Sequence, residues 1–298
     1  MRYEIRKIQE LMEAAEYVTD APVATSVHLA MRLRKPLLIE GPAGVGKTEV
    51  AKVMARMLRT NLIRLQCYEG LDASTALYEW NYQKQLLHIR LEEAGRNNRP
   101  MGEKEHEIFS EPFLLRRPLL QAITQESQSP VLLIDEVDRV EEEFEAFMLE
   151  VFSDWQVTIP EIGTIKATYP PYVILTSNST RELSDALRRR CLYLWIEYPS
   201  FDKEMRIIGR KVPGIDGRLT REIAKFMETL RQVRLAKVPG VAETLDWAQA
   251  LATLHADHLD EPLIAETLGC ILKDADDMKR FRSEVAKTGL TPFLPVQS

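Results

Sequence analysis

Apolar residues recur at three- to four-residue spacing over positions 1–35: Ile5, Ile8, Leu11 and Met12, then Val27, Ala30, Met31 and Leu33. That spacing predicts helices, with a break between Tyr17 and Pro22. The pattern then changes. Short apolar runs at 36–40, 61–67, 131–138, 172–178 and 192–199 read as strands. Strands that are apolar at nearly every position belong to a sheet covered on both faces, usually a parallel one. Helical stretches lie between them: 48–59 has no internal Gly or Pro, and Val140, Phe144, Phe147, Met148 and Val151 form one stripe. Residues 155–170 read as a hairpin turning at Gly163. Over 68–112 the pattern is mixed. Residues 77–95 have helical spacing with aromatics, and 96–107 are polar and loop-like; beyond them, 113–123 read as a helix despite Pro118. After Pro199 the chain reads as wholly helical to about residue 288. The expectation is an α/β domain over 1–200 and a helical domain over 201–298.

Composition narrows the function classes. The 298 residues carry 39 Lys and Arg against 45 Asp and Glu, a net charge of −6. Sequence-independent duplex binding calls for a basic face, so nucleic acid is a poor partner for this chain. No apolar run reaches the roughly 18–20 residues that cross a bilayer, and the charged N-terminus lacks a signal-peptide core. Cys67, Cys191 and Cys270 lie far apart without a CxxC pair. They read as buried small hydrophobes in a reducing, cytoplasmic setting. The Glu141–Glu143 run reads as the solvated first turn of a helix rather than a metal site.

The candidate chemistry lies at strand ends. GPAGVGKT at 41–48 matches G-x-x-x-x-G-K-[ST], with a strand before it and a helix after it. Gly41, Gly44 and Gly46 let successive backbone N–H groups turn toward phosphate oxygens, and the helix N-terminus adds its dipole. Lys47 supplies a positive charge to the β- and γ-phosphates, and Thr48 offers a hydroxyl to Mg²⁺. Asp135 and Glu136 end the 131–138 run, where ligands of parallel sheets bind. Asp135 suits Mg²⁺, and Glu136 suits the polarisation of an attacking water. A water-activating carboxylate favours hydrolysis over phosphoryl transfer to a small molecule. Asn178 ends the next run, placed to orient that water or meet the γ-phosphate. Arg188, Arg189 and Arg190 precede the last strand. They are either a surface basic cluster or an arginine finger acting on a neighbouring subunit's nucleotide, which requires an assembly.

Taken in order, phosphate loop, IDE strand, TSN strand end, ALRRRC and a helical C-terminal domain resemble an AAA+ ATPase. The long segment before the IDE strand and the 155–170 hairpin resemble the group with a helix-2 insert and a pre-sensor hairpin. YVTDAPVATSVHLAMRLRKPLLIEGPAGVGKTE, EPFLLRRPLLQAI, SNSTRELSDALRRRCLYLWIEYP and PGVAETLDWAQAL are similar to the CoxD-like branch of the MoxR family. The resemblance implies a five-stranded parallel sheet between helices, followed by a helical lid. It implies ATP and Mg²⁺ at a site shared with the next subunit of a ring, commonly a hexamer. Gly41, Pro42, Ala43, Gly44, Val45, Gly46, Lys47, Thr48 and Glu49 would hold the nucleotide, with Thr48 and Asp135 on the metal. Glu136 would be the water acid, Asn178 the first sensor, and Arg190, ahead of Arg189, the finger. Tyr17, Val18 and Ala24 lie in the segment that usually lines the adenine pocket.

Family members act as chaperones in cofactor insertion or metallo-enzyme maturation, often with a partner carrying a von Willebrand factor A domain. The CoxD-like branch is associated with molybdenum-containing carbon monoxide dehydrogenase and related hydroxylases. One position departs from the pattern: Thr244 stands where relatives place a lid arginine, so no second sensor is assigned, and Arg231 and Arg234 are the nearby alternatives. Tyr78, Trp80 and Tyr82 fall in the insert; they either face a pore or a partner or pack the insert on the core, and packing is the preferred reading. The competing readings are a nucleic-acid motor or loader, a weakly hydrolysing ATP-dependent switch or scaffold, and a small-molecule kinase, which Glu136 disfavours.

Overall fold

The computed structural model describes residues 2–94 and 107–295. In chain order the elements are α1 (Arg2–Ala14), α2 (Ala21–Leu33), β1 (Leu37–Glu40), α3 (Lys47–Leu58), β2 (Leu62–Gln66), α4 (Ala73–Leu77), β3 (Tyr78–Trp80) and α5 (Tyr82–Ala94). They continue with β4 (Leu114–Arg116), α6 (Pro118–Ile123), β5 (Val131–Asp135), α7 (Glu142–Asp154), β6 (Gln156–Ile159), β7 (Gly163–Lys166), β8 (Tyr172–Ser177), α8 (Asp185–Arg190) and β9 (Leu192–Trp195). Helices α9 (Phe201–Lys211), α10 (Gly217–Leu230), α11 (Val241–Thr253), α12 (Glu261–Thr267) and α13 (Ala275–Thr288) follow. The chain divides into two compact units, Thr25–Glu40 with Met54–Leu194, and Met1–Ala24 with Gly41–Val53 and Trp195–Ser298.

The first unit holds a five-stranded parallel sheet in the order β2-β5-β8-β1-β9. β1 and β5 are buried at every position, and β8 at all but its first. β2, at the edge, alternates exposed and buried residues. This is why the central strands read as continuous apolar runs. Register sets the functional ends: Gln66 pairs with Asp135, Ile39 with Thr176 and Glu40 with Ser177. On one side of the sheet Leu132, Ile134 and Leu175 pack in one core with Leu119, Leu120, Phe144 and Met148.

The insert differs from the helix expected over 77–95. α4 ends at Leu77, and Tyr78–Trp80 pair antiparallel with Leu114–Arg116. The aromatics favour a pleated, half-buried surface. The helix begins only at Tyr82, where the Asn81 side chain accepts the Lys84 N–H at 3.0 Å. Trp80 is buried edge-on to Phe109, whereas Tyr82 is exposed. The helix expected over 113–123 is confined to 118–123, because Pro118 sits in its first turn, where a missing N–H costs nothing. The polar segment 96–107 lies outside the described residues except for Glu107. The strand expected over 131–138 ends at Asp135, and that over 192–199 ends at Trp195. The hairpin forms as β6 and β7, with Gly163 (φ +102°) opening the second strand.

In the second unit α9–α13 build a core around Phe226, whose ring meets Trp247, Phe281 and Phe293 at 4.9, 5.6 and 5.4 Å between centroids. The buried Trp247 indole donates to the Thr267 hydroxyl at 2.8 Å. Asp216 caps α10 by accepting from the N–H groups of Arg218 and Leu219.

Candidate functional site

The loop from Gly41 to Gly46 runs from β1 into α3, which opens at Lys47. Its three glycines all have positive φ, +152°, +76° and +91°, a region that side-chain-bearing residues enter only under strain. A Cβ on Gly46 would meet no atom within 4 Å, so that side of the loop is an open cradle. A Cβ on Gly41 would lie 2.1 Å from the Ile196 carbonyl oxygen. The Lys47 ammonium is buried and donates to the carbonyls of Gly41 and Pro42 at 2.6 and 2.7 Å. It therefore holds the curl of the loop and sets the ammonium inside it. Thr48 and Glu49 lie in the first turn of α3, and the Glu49 N–H donates to the Gly46 carbonyl. The Glu49 carboxylate lies 3.6 Å from Lys52 and 3.9 Å from Lys211. These features fit a phosphate group: open backbone, one cation, and a helix N-terminus.

The same unit fixes the loop from the other side. The Gly44 carbonyl accepts the Val241 N–H at 2.8 Å, so α11 begins on the phosphate loop. Gly240 makes this approach possible: a Cβ there would lie 2.6 Å from the Gly44 Cα and 2.8 Å from the Ala43 carbonyl oxygen. Both are backbone atoms, so relief requires a main-chain shift. Gly240→Ala is expected to lower stability by about 1–3 kcal/mol and to weaken nucleotide affinity; calorimetry and a nucleotide titration measure the two effects. Unchanged values in both would show that the loop does not depend on this contact. The sequence carries no signal for it beyond the Pro-Gly pair.

Beside Gly240, the buried Thr244 hydroxyl donates to Glu204 at 2.7 Å. Arg231 grips the same carboxylate with two bonds of 2.6 and 2.7 Å and also donates to the Pro239 carbonyl. Its guanidinium lies over the Tyr198 ring at 5.0 Å. Arg231 is thus tied down inside the helical unit, while Arg234 is exposed. Of the adenine-pocket candidates, Val18 and Ala24 are buried. The Tyr17 hydroxyl is pushed above its usual range by burial, then by the charges of Asp20 and Glu49.

In the sheet-bearing unit the ends of β5 and β8 converge. Asp135 is buried; Thr176 donates to its Oδ1, and Arg64 donates to its Oδ2 from Nε and Nη2 at 3.0 and 2.5 Å. The Glu136 N–H donates to the Thr176 hydroxyl at 3.0 Å, so one buried hydroxyl orders both acids. Glu136 adopts a left-handed conformation (φ +58°, ψ +50°) and lies 3.3 Å from Arg139. This sharp turn ends the strand and leaves the carboxylate partly exposed. Burial of Cys67 and the nearby charges of Asp135, Asp138 and Glu136 push its thiol up to about 12, so it stays neutral. Burial alone does the same for Cys191.

Asp138 is the organiser that sequence reasoning missed. Its Oδ2 accepts from the Asn178 N–H at 3.2 Å, the Thr180 N–H at 2.9 Å and the Thr180 hydroxyl at 2.6 Å. The Asn178 backbone is thereby anchored to the segment that carries the acids. Burial raises the Asp138 pKa, but the Thr180 and Asn178 hydrogen bonds outweigh it, and the net shift is downward. A carboxyl depressed in the fold stabilises it above the unfolded value of about 3.9. That contribution is lost as the pH falls through the folded value. Asp138→Asn is therefore expected to cost about 1–3 kcal/mol near neutrality and to flatten acid denaturation below about pH 4. Urea titrations across pH test this; an unchanged acid limb would remove Asp138 from the role.

The arginines separate cleanly. Arg188 pairs with Glu40, the last residue of β1, at 3.2 Å. Arg189 and Arg190 are exposed at the end of α8, with Arg190 donating to the Ser153 hydroxyl at 2.6 Å. Just upstream, the fully buried Glu145 accepts from Arg181 and from the Ser184 N–H, fixing the start of α8. The structure thus brings Asp135, Glu136, Thr176, Asp138 and Asn178 together in one unit and organises the loop 41–48 in the other. Among the described residues, no helix is long and apolar enough to cross a membrane.

A family model described as an AAA domain of the dynein-related subfamily matches residues 36–191, more than half of the chain. A protein of Staphylococcus haemolyticus is 23% identical over 243 residues, 79% of this chain and 82% of its own length. One from Staphylococcus epidermidis is 22% identical over 220 residues, 72% and 74% of the two chains. Both are described as uncharacterized. Among solved structures, two single-residue variants of RuvB from Thermotoga maritima, each 18% identical, align with TM-scores of 0.52 and 0.51. The first covers 92% of this chain and 77% of the variant, the second 91% and 76%. At that identity the likeness establishes the fold.

Proposed function

Because the chain belongs to the AAA domain family, in its dynein-related subfamily, we propose that it hydrolyses ATP to ADP and phosphate as part of a ring of identical subunits. The observation that carries this reading is the order of strand ends. The phosphate loop follows β1, Asp135 closes β5 and Glu136 follows it, and β8 pairs between the two strands. In the proposed reaction the loop N–H groups and Lys47 bind the phosphates. Thr48 and Asp135 would hold Mg²⁺, which when bound would neutralise phosphate charge. Glu136 polarises the attacking water, and Asn178 orients it. Arg190 of a neighbouring copy meets the charge that develops on the γ-phosphate.

The use of that hydrolysis is read from the MoxR-like strings: remodelling of a client metallo-enzyme during maturation of its cofactor or metal centre, with a von Willebrand factor A domain protein as partner. The net charge of −6 supports a protein client over a duplex. Glu136→Gln tests the chemistry. It is expected to keep ATP affinity while turnover falls roughly 10²–10⁴-fold. Near-normal phosphate release would remove Glu136 from its role. A wild-type rate that rises with added DNA and falls with salt would favour the motor or loader reading instead.

A further inference from the structure

Helix α5 turns Gln85, His88 and Glu92 inward, beside the half-buried Ile89. Gln85 is buried and donates to the Ile108 carbonyl at 2.6 Å. His88 and Glu92, three and seven positions on, are half-buried on the same side. Leu86, Leu87 and Leu91 are instead 58%, 58% and 63% exposed. Surface helices normally show the reverse arrangement, so burying these polar groups is not explained by core formation. The segment they face contains Glu107 and Phe113. The His88 ring lies edge-on to Phe113 at 5.3 Å between centroids. Its Nε2 is buried without a hydrogen-bond partner among the described residues, and lies 3.4 Å from Glu107 Oε1. One donor atom from each of His88, Glu92 and Glu107 falls within 4.8 Å of the others.

We propose that His88, Glu92 and Glu107 bind a divalent transition-metal ion of the zinc class. The donor set is one imidazole and two carboxylates, a combination such ions accept with water completing the shell. The i, i+4 spacing sets His88 and Glu92 on adjacent turns of one helix face, and Glu107 arrives from a separate segment. Charge supports a dication. Two carboxylates this close repel, and a divalent ion placed between them offsets that repulsion. An ion here would tie α5 to the segment leading into β4. The site is independent of the nucleotide loop and of the ATPase reading.

The test is a titration of the full chain, stripped of metal by a chelator, with Co²⁺ followed by its visible ligand-field bands, then with Zn²⁺ in competition. Wild type is expected to develop the bands and to lose them on adding Zn²⁺. His88→Gln and Glu107→Gln are each expected to weaken binding at least about tenfold, with circular dichroism unchanged. Glu92→Gln serves if either variant fails to fold. Failure of wild type to bind at micromolar Co²⁺ or Zn²⁺, or equal binding by all the ligand variants, would overturn the proposal.

Discussion

Arg190→Ala is expected to bind ATP as wild type does and to hydrolyse it roughly 10³–10⁵-fold more slowly, the usual worth of an arginine finger. Ser184 caps the short helix α8 and the buried Leu187 anchors it. Arg188 is held by Glu40, which leaves Arg189 and Arg190 as the exposed cations at its end. Among the described residues, Arg190 gives up a bond to the Ser153 hydroxyl to reach a neighbour, an exchange costing about 0.5–1.5 kcal/mol. A finger supplied by the adjacent subunit has a signature that no folding defect mimics. Arg190→Ala chains mixed with Lys47→Ala chains should regain activity, since each lacks a different half of the shared site. A mixture as inactive as its parts would refute supply in trans. A loss that follows Arg189→Ala instead would place the finger one residue upstream.

Lys47→Ala is expected to lose both binding and turnover. The ammonium is buried and donates to two loop carbonyls. Its removal takes away the loop's charge and leaves those acceptors poorly satisfied. Loss of a charge-assisted bond to the phosphates is worth about 10- to 100-fold in affinity. Loss of one donor to the developing charge is worth about 10²–10³ in rate. Together these predict a fall of roughly 10³–10⁵ in kcat/KM. A fluorescent-nucleotide titration and a phosphate-release assay read the two effects separately. Unchanged affinity would mean that the loop does not bind phosphate.

The features legible in the sequence are those carried by neighbouring residues. The loop 41–48 announces itself because its glycines, lysine and threonine are contiguous. β1, β5 and β8 are legible because burial on both faces makes them apolar throughout. Where the local signal is ambiguous, tertiary pairing decides. Tyr78–Trp80 have helical spacing, but Leu114–Arg116 offer them a strand partner. Pro118 does not interrupt a long helix; it begins a short one. Features that depend on distant pairs were not legible. Arg64 meets Asp135 across 71 positions, and Thr244 meets Glu204 across 40. Nothing local shows that Gly240 must lack a side chain to rest on Gly44. Nothing local sets Asp138 apart, and only the fold reveals that it anchors Asn178.

The decisive measurement is the rate of ATP hydrolysis per chain against protein concentration, at fixed ATP and Mg²⁺, with the mass of the species determined at each point. A rate that rises and then saturates as monomers give way to a larger assembly is the predicted result, because Arg190 would complete the site of the next subunit. A clear rate that stays constant in a chain that remains monomeric, or no hydrolysis in the assembled state, would contradict it.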